Sequence, residues 1–206
     1  YVTFAFARPL HVFDADKVKG AIRARSALAD KIIEALDNKT YTLSPGMTVI
    51  ADDNGPEAIG GIIGGVPSSC TEATTNVFLE SAWFDPLITA ATGRRLGIQS
   101  DARYRFERGV DPAFTENGAE IATRMIIDLC GGEASKLVIA GAVPDTARSY
   151  TLRDTRVKTL GGVDVALSEQ KRILEALGFA VTEQAGKLVC AVPSWRPDVK
   201  GEADLV

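Results

Sequence analysis

The 206-residue chain lacks most of the features that mark a specialised class. Its three cysteines, Cys70, Cys130 and Cys190, are far apart and odd in number. They show neither a disulfide framework nor metal-ligand spacing, which predicts free thiols in a reducing cytoplasm. No apolar run reaches the roughly 18 residues that a membrane-spanning helix needs, so no membrane partner is expected. A basic leader and an initiator Met are both missing, so the chain reads as a piece of a longer protein without a secretion signal. There is no excess of cations: 23 Lys and Arg face 27 Asp and Glu, for a net charge of −4. That balance argues against a stand-alone nucleic-acid binder, but not against RNA delivered by another part of a larger enzyme. Histidine occurs once, at position 11. Neither a Ser-His-Asp arrangement nor a metal cluster is visible, and no metal site is predicted. Gly60-Gly61 and Gly64-Gly65 are followed by no Gly-Lys-Ser/Thr and lack the dinucleotide spacing, so a phosphate loop is excluded.

What is present is an ordinary globular composition, 46% hydrophobic, at a length that suits one domain and a smaller second one. Residues 1–6 alternate aromatic and small side chains and predict a strand. Residues 21–25 suggest another. From 26 to 36, Leu28, Ile32, Ile33 and Leu36 fit a helical face, yet 36–43 look like a hairpin turning at Asp37-Asn38. Residues 48–51 read as a strand, and the glycine pairs after it mark places where something approaches the backbone closely. Residues 86–96 predict a helix, with Pro86 in its first turn and Gly97 just past its end. A second helix begins at Asp111-Pro112, carries Ile121, Met125 and Leu129 as one apolar stripe, and stops at Gly131-Gly132. Residues 136–143 predict a strand, and 144–149 a domain boundary. In the tail, Ser168 is expected to cap a helix over 169–177 with Ile173, Leu174 and Leu177 inward. A hairpin around Gly186 follows, then a rigid Pro193–Pro197 stretch with Trp195 as a core anchor rather than a base-stacking platform, then a helical first turn at 202–206.

The organising stretch is 77–84, Val-Phe-Leu-Glu-Ser-Ala-Trp-Phe, bounded by Asp85-Pro86. It predicts a strand buried on both faces. Glu80 sits in its middle, on the face of Phe78, Ala82 and Phe84. An ionised carboxylate there loses several kcal/mol of hydration unless something replaces it. Glu80 therefore needs either a structural partner, such as an arginine or backbone amides, or a ligand.

Leu-Glu-Ser-Ala-Trp-Phe-Asp-Pro at 79–86, Arg-Arg-Leu-Gly at 94–97 and Tyr-Arg-Phe-Glu-Arg-Gly-Val-Asp-Pro at 104–112 together resemble the beta subunit of bacterial phenylalanyl-tRNA synthetase. In the tail, Leu-Gly-Phe at 177–179 and Val-Pro-Ser-Trp-Arg-Pro-Asp at 192–198 are similar to the module that follows editing in that family. The resemblance runs from Tyr1 to Val206. It implies an α+β fold: a mostly β aminoacyl-tRNA editing domain with flanking helices over 1–147, lacking its N-terminal end, and a small helix-hairpin, winged-helix-like module over 148–206, cut at its C-terminal end. It also favours strands over helix in 26–36.

The resemblance implies a function as well: hydrolysis of tyrosine mischarged onto phenylalanine tRNA, within a phenylalanine–tRNA ligase. No cofactor is expected in this part. ATP, magnesium and phenylalanine would be held by the alpha subunit of an α2β2 heterotetramer, and the tRNA is the other partner. By the same resemblance Glu80 reads the tyrosine hydroxyl, because a carboxylate accepts and a phenol donates. His11, in a Pro-Leu-His-Val-Phe-Asp run, falls where the family has its editing histidine. Gly61 and Gly64 match glycines that let the amino acid lie against the backbone. Ser100 and Ala102 match a pocket wall in which the family often has Thr at the first site, Ala102 being small enough to leave room for a ring. A Thr-Asn pair that the family places just before the position of Tyr1 is absent. The rival reading is a non-catalytic RNA-binding or scaffold module, in which Glu80 is a satisfied buried acid, His11 a loop histidine bonded to backbone, the glycines tight packing contacts and 97–102 a plain turn. Arg103, Arg105 and Arg108 with Glu107 form either a phosphate-binding cluster or an internal ion-pair network. Asp14 and Asp16 read as solvated or turn-capping. The tail's helical unit contacts RNA or another part of the synthetase, and its sequence does not decide which.

Overall fold

The computed structural model describes all of residues 1–206, which divide into two units, Tyr1–Ala140 and Gly141–Val206. Helices and sheets are mixed throughout, an α+β arrangement. In the first unit a short helix α1 (Val2–Phe6) precedes β1 (His11–Asp14), β2 (Arg23–Ser26), β3 (Ile32–Glu34), β4 (Thr40–Thr42), β5 (Thr48–Ala51), β6 (Pro56–Ile59), β7 (Ile63–Gly64) and β8 (Val77–Glu80). Helices α2 (Pro86–Leu96), α3 (Asp101–Phe106) and α4 (Thr115–Cys130) follow. The second unit holds β9 (Ser149–Arg153), α5 (Leu167–Ala176), β10 (Ala180–Gln184), β11 (Lys187–Ala191) and α6 (Glu202–Leu205).

The centre of the first unit is an antiparallel sheet in the order β2-β5-β6-β7. Its central strands β5 and β6 are covered on both faces, which is why Val49-Ile50-Ala51 is an unbroken apolar run, while the edge strand β2 is largely exposed. The period of two sends Val49, Ala51 and Ile59 into one core with Ile33, Leu43, Ile62 and Ile98. It sends Ile50 and Ala58 to the opposite face, into a second core with Phe13, Phe84, Phe106 and Val110. The β3–β4 hairpin turns at Asp37-Asn38, where Asn38 has φ 61° and Tyr41 donates its hydroxyl to Asp37 at 2.6 Å. Helix α2 is punctuated as its sequence predicts. The Asp85 carboxylate accepts from the Leu87 and Ile88 amides, and Gly97 closes it at φ 68°.

Several expectations fail where an element needs partners that a local pattern does not reveal. Residues 1–6 form a helix rather than a strand. No neighbouring strand offers them hydrogen bonds, so the backbone closes on itself through Ala5 N–H to Tyr1 O at 2.8 Å. Residues 136–143 form no strand for the same reason, and Leu137, Val138, Ile139 and Val143 stay exposed. The strand expected over 77–84 ends at Glu80 and is not buried on both faces. It pairs only with β1, and Val77 and Phe78 are exposed. In α4 the buried side is Gly118, Ala119 and Ala122, whereas Leu129 of the expected stripe is exposed. Close approach selects small residues over large ones there.

The second unit is a three-stranded antiparallel sheet, β10-β11-β9, with α5 against it. The β10–β11 hairpin turns through Ala185 (φ 49°) and Gly186 (φ 74°), the doubly left-handed geometry that suits strand twist. Ala166, not Ser168, is the residue before α5, and it makes no side-chain cap. The inward positions of α5 are Gln170 and Leu174, four apart, while Ile173 and Leu177 are exposed. Trp195 is no core anchor. It is 55% exposed and lies across Gly178, where an added Cβ would come within 2.7 Å of the indole.

Candidate functional site

The two-stranded β1–β8 ribbon sets His11 directly opposite Glu80. Both side chains line a cavity of about 230 Å³. The cavity sits on the Ile50/Ala58 face of the sheet, with Phe84 and Phe106 as further walls. It is smaller than the roughly 300–1,000 Å³ of drug-sized sites, a scale suited to one amino-acid side chain. Its lining is apolar apart from backbone, His11 and Glu80, which are also its only titratable groups.

Glu80 has no arginine or amide partner. Its Oε2 is buried and makes no hydrogen bond. Burial pushes its carboxyl up to about 7. His11 Nε2 is likewise buried and unpaired, and burial lowers the imidazole below its ordinary value, favouring its neutral form. The ring stands edge-on to Phe13, with centroids 4.3 Å apart. Two buried polar tips with nothing to bond, neighbours on paired strands, line one small apolar cavity. Native proteins rarely leave such groups unpaired without a ligand, water or ion to complete them.

The glycines shape this space. A Cβ on Gly64 would sit 2.1 Å from His11 Cε1, so only glycine lets the imidazole lie over β7. Gly61 turns the chain between β6 and β7 at φ 70°, and a Cβ there would press to 2.9 Å of the Phe84 ring. Phe84 and Phe106 meet edge to face at 5.1 Å. Ala102 lines the cavity from the first turn of α3.

Ser100 does not line the cavity. It is the N-cap of α3, accepting from the Arg103 amide at 3.0 Å and donating to Ile62 O at 2.6 Å. Its hydroxyl thus ties the helix that carries Ala102 and Phe106 to the turn that carries Gly61. Residues 97–102 are therefore more than a plain turn. Five of the six residues singled out in the sequence, His11, Gly61, Gly64, Glu80 and Ala102, meet in the cavity, and the sixth braces it.

The arginines of α3 and Arg108 just after it pair with carboxylates of the same segment, Arg103 buried and Arg108 and Asp101 exposed. Arg103 Nε reaches Glu107 at 2.9 Å, Arg108 reaches Glu107 at 3.0 Å and Arg105 reaches Asp101 at 3.3 Å. Arg103 is itself buried over Gly93. Asp14 caps its turn, accepting from Thr74 and the Asp16 amide.

Sequence reasoning missed the aromatic walls, Phe84 and Phe106, and it missed Arg8. That side chain is wholly buried, and its guanidinium donates to Ala82 O at 2.8 Å and to Asp111 O. An arginine between an apolar stretch and Pro9 carries no local signal of burial.

Known proteins compare as follows. The model of the B3/4 domain matches residues 1–131, and that of the tRNA synthetase B5 domain matches residues 150–206. The chain is 60% identical over 206 residues to the phenylalanine–tRNA ligase beta subunit of Paramagnetospirillum magneticum, covering all of this chain and 26% of that protein. It is 58% identical to the protein of the same name from Ruegeria pomeroyi, covering 25% of it. The chain thus spans about a quarter of the length of these relatives. Among solved structures, an N-terminal fragment of the phenylalanyl-tRNA synthetase beta subunit from Pyrococcus horikoshii aligns with 99% of this chain and 60% of that one, at 18% identity and a TM-score of 0.46.

Proposed function

Because the chain belongs to the B3/4 domain family and carries a tRNA synthetase B5 domain after it, we propose that it is the proofreading part of a phenylalanine–tRNA ligase beta subunit, hydrolysing tyrosine wrongly esterified to phenylalanine tRNA. The observation that carries this reading is Glu80 Oε2: buried, without a partner, and aimed at a cavity of amino-acid size.

The chemistry follows from what each group can offer. An ionised Glu80 only accepts hydrogen bonds, and the tyrosine phenol donates one. Phenylalanine would fill the same apolar space but leave a dehydrated carboxylate unpaired, and sites of that kind reject the analogue by about 10⁴ to 10⁵. A first site that must exclude an added hydroxyl manages only about a hundredfold, so a second site that requires the hydroxyl supplies the missing selectivity. Gly61 and Gly64 leave the backbone open to the amino acid, and Ala102 leaves room for the ring. In the hydrolysis, water adds to the ester carbonyl, the bond from the carbonyl carbon to the ribose oxygen breaks, and the proton ends on the ribose hydroxyl. Neutral His11 orients the water or the ester, or passes that proton.

Charging chemistry lies elsewhere in this reading. No three His, Cys, Asp or Glu side chains of this chain stand together as a metal-holding group. Magnesium and ATP belong to an alpha subunit in an α2β2 assembly in the cytoplasm. No helix of the chain is long and apolar enough to cross a membrane. The scaffold reading needs Glu80 and His11 to be structurally satisfied, and their buried tips have no partners.

The test is release of tyrosine from Tyr-tRNA by the native protein and by Glu80→Ala. Turnover is expected to fall about a hundredfold or more. Melting at pH 8 should be little changed, because no partner is orphaned. Native turnover in the variant ends the assignment.

A further inference from the structure

We infer that Arg8 is a positioning residue of this pocket: its buried guanidinium clamps the segment that delivers His11 to the segment that follows Glu80. The inference rests on the reading of the pocket just given and extends it to a residue outside the cavity.

Arg8 is 0% exposed and sits three residues before His11. Nη1 donates at 2.8 Å to the carbonyl of Ala82, two residues beyond Glu80, and Nη2 donates to the carbonyl of Asp111, at the entry to the turn that leads into α4. The stem lies on α4 at Gly118, where an added Cβ would come 2.8 Å from Arg8 Cγ. Three segments therefore meet on one side chain. Ser81, between Glu80 and Ala82, adds a parallel tie by donating its hydroxyl to Thr115 O at 2.7 Å. Both bonds hold the two residues that directly follow Glu80, which itself lines the cavity. On the other strand, Pro9 restricts the backbone between Arg8 and His11, so fixing Arg8 also fixes the approach of the imidazole.

The chemistry of the side chain supports a geometric role. Arg8 makes no salt bridge, and Nε is buried without a partner. Burial lowers its pKa to about 10 despite the nearby Asp111 charge, so it remains a cation at neutral pH. A charge held only by main-chain carbonyls is a poor way to gain stability, since an apolar residue fills such a space with less desolvation. What a guanidinium offers that an apolar residue does not is a planar fork reaching two acceptors in fixed directions.

The test uses Arg8→Met and Arg8→Lys in the full chain. The Glu80 carboxyl is followed by NMR across a pH titration, and binding of a non-hydrolysable tyrosyl-adenosine amide by calorimetry. Methionine keeps the stem and removes the donors; lysine keeps the charge without the fork. In Arg8→Met the Glu80 midpoint is expected to fall by about one pH unit as water reaches the carboxyl. The amide should bind about tenfold more weakly, with Arg8→Lys in between. A native midpoint in folded Arg8→Met overturns the clamp. Should Arg8→Met fail to fold, Arg8→Lys decides: a lowered midpoint supports the clamp and a native one overturns it. The midpoint needs no ligand. A native chain that binds no amide therefore contradicts the proofreading reading, while the clamp is judged on the titration alone.

Discussion

The β1–β8 ribbon carries a carboxylate near each end, and the two ends are opposites. Asp14, across from Val77, accepts from the Thr74 hydroxyl at 2.7 Å and the Asp16 amide at 3.2 Å, with Lys17 at 3.5 Å. Those partners, Thr74 foremost, hold its carboxyl below the usual carboxylate range. Glu80, across from His11, has no such bonds, and burial raises it to about 7. The ribbon and the functional group are shared, so the difference lies in what the fold has placed around each. An acid supplied with donors by its own chain is structural. An acid denied them, and walled by Phe84, Ile50 and Ala102, is incomplete until something else donates.

The largest expected effect comes from filling the incomplete end. Ala102→Trp should abolish tyrosyl-amide binding measured by calorimetry and leave the Asp14 end untouched. Unchanged affinity would show that the cavity beside Glu80 is not where the ring goes.

Next is a pH effect whose sign differs between the ends. Glu80 has its carboxyl raised from 4.5 to about 7 on folding, so the native state holds this proton more tightly. The resulting stability is full below pH 4.5 and is lost as pH rises through about 7, a change of about 3 kcal/mol. Glu80→Gln should remove that slope in denaturant titrations at acid, neutral and mildly alkaline pH. A slope that survives the substitution would mean that the site is hydrated.

The smallest effect belongs to the satisfied end. Asp14 is depressed below 3.8, so its support is present above that pH and fades as pH falls through its native value. Asp14→Asn should lower the melting temperature at pH 7 by several degrees and leave tyrosyl-amide affinity unchanged. Lost affinity with an unchanged melting temperature would erase the contrast between the two ends.

How much of this was legible in the sequence follows the same division between local and distant causes. Helix α2 could be bounded from Asp85-Pro86 and Gly97, and the β10–β11 hairpin from Gly186, because capping and turn chemistry act within a few residues. Glu80 stood out because a carboxylate in an aromatic run is costly wherever that run goes. The pocket residues followed from family resemblance, not from spacing. Illegible were features set by distant partners. Whether 1–6 and 136–143 become strands depends on a neighbouring edge. The burial of Arg8 depends on carbonyls 74 and 103 residues away. Ser100 was found as a matching position, but its work as the cap that braces Ala102 against the Gly61 turn appears only in three dimensions.

The most direct measurement compares two non-hydrolysable adenosine amides, tyrosyl and phenylalanyl, that differ by a single hydroxyl, bound to the native chain at pH 8. The tyrosyl form is expected to bind about 10⁴-fold more tightly, as a site built to bond a hydroxyl rejects the analogue lacking it, with the preference absent in Glu80→Ala. Equal affinities for the native chain would contradict the claim that Glu80 waits for a phenolic donor.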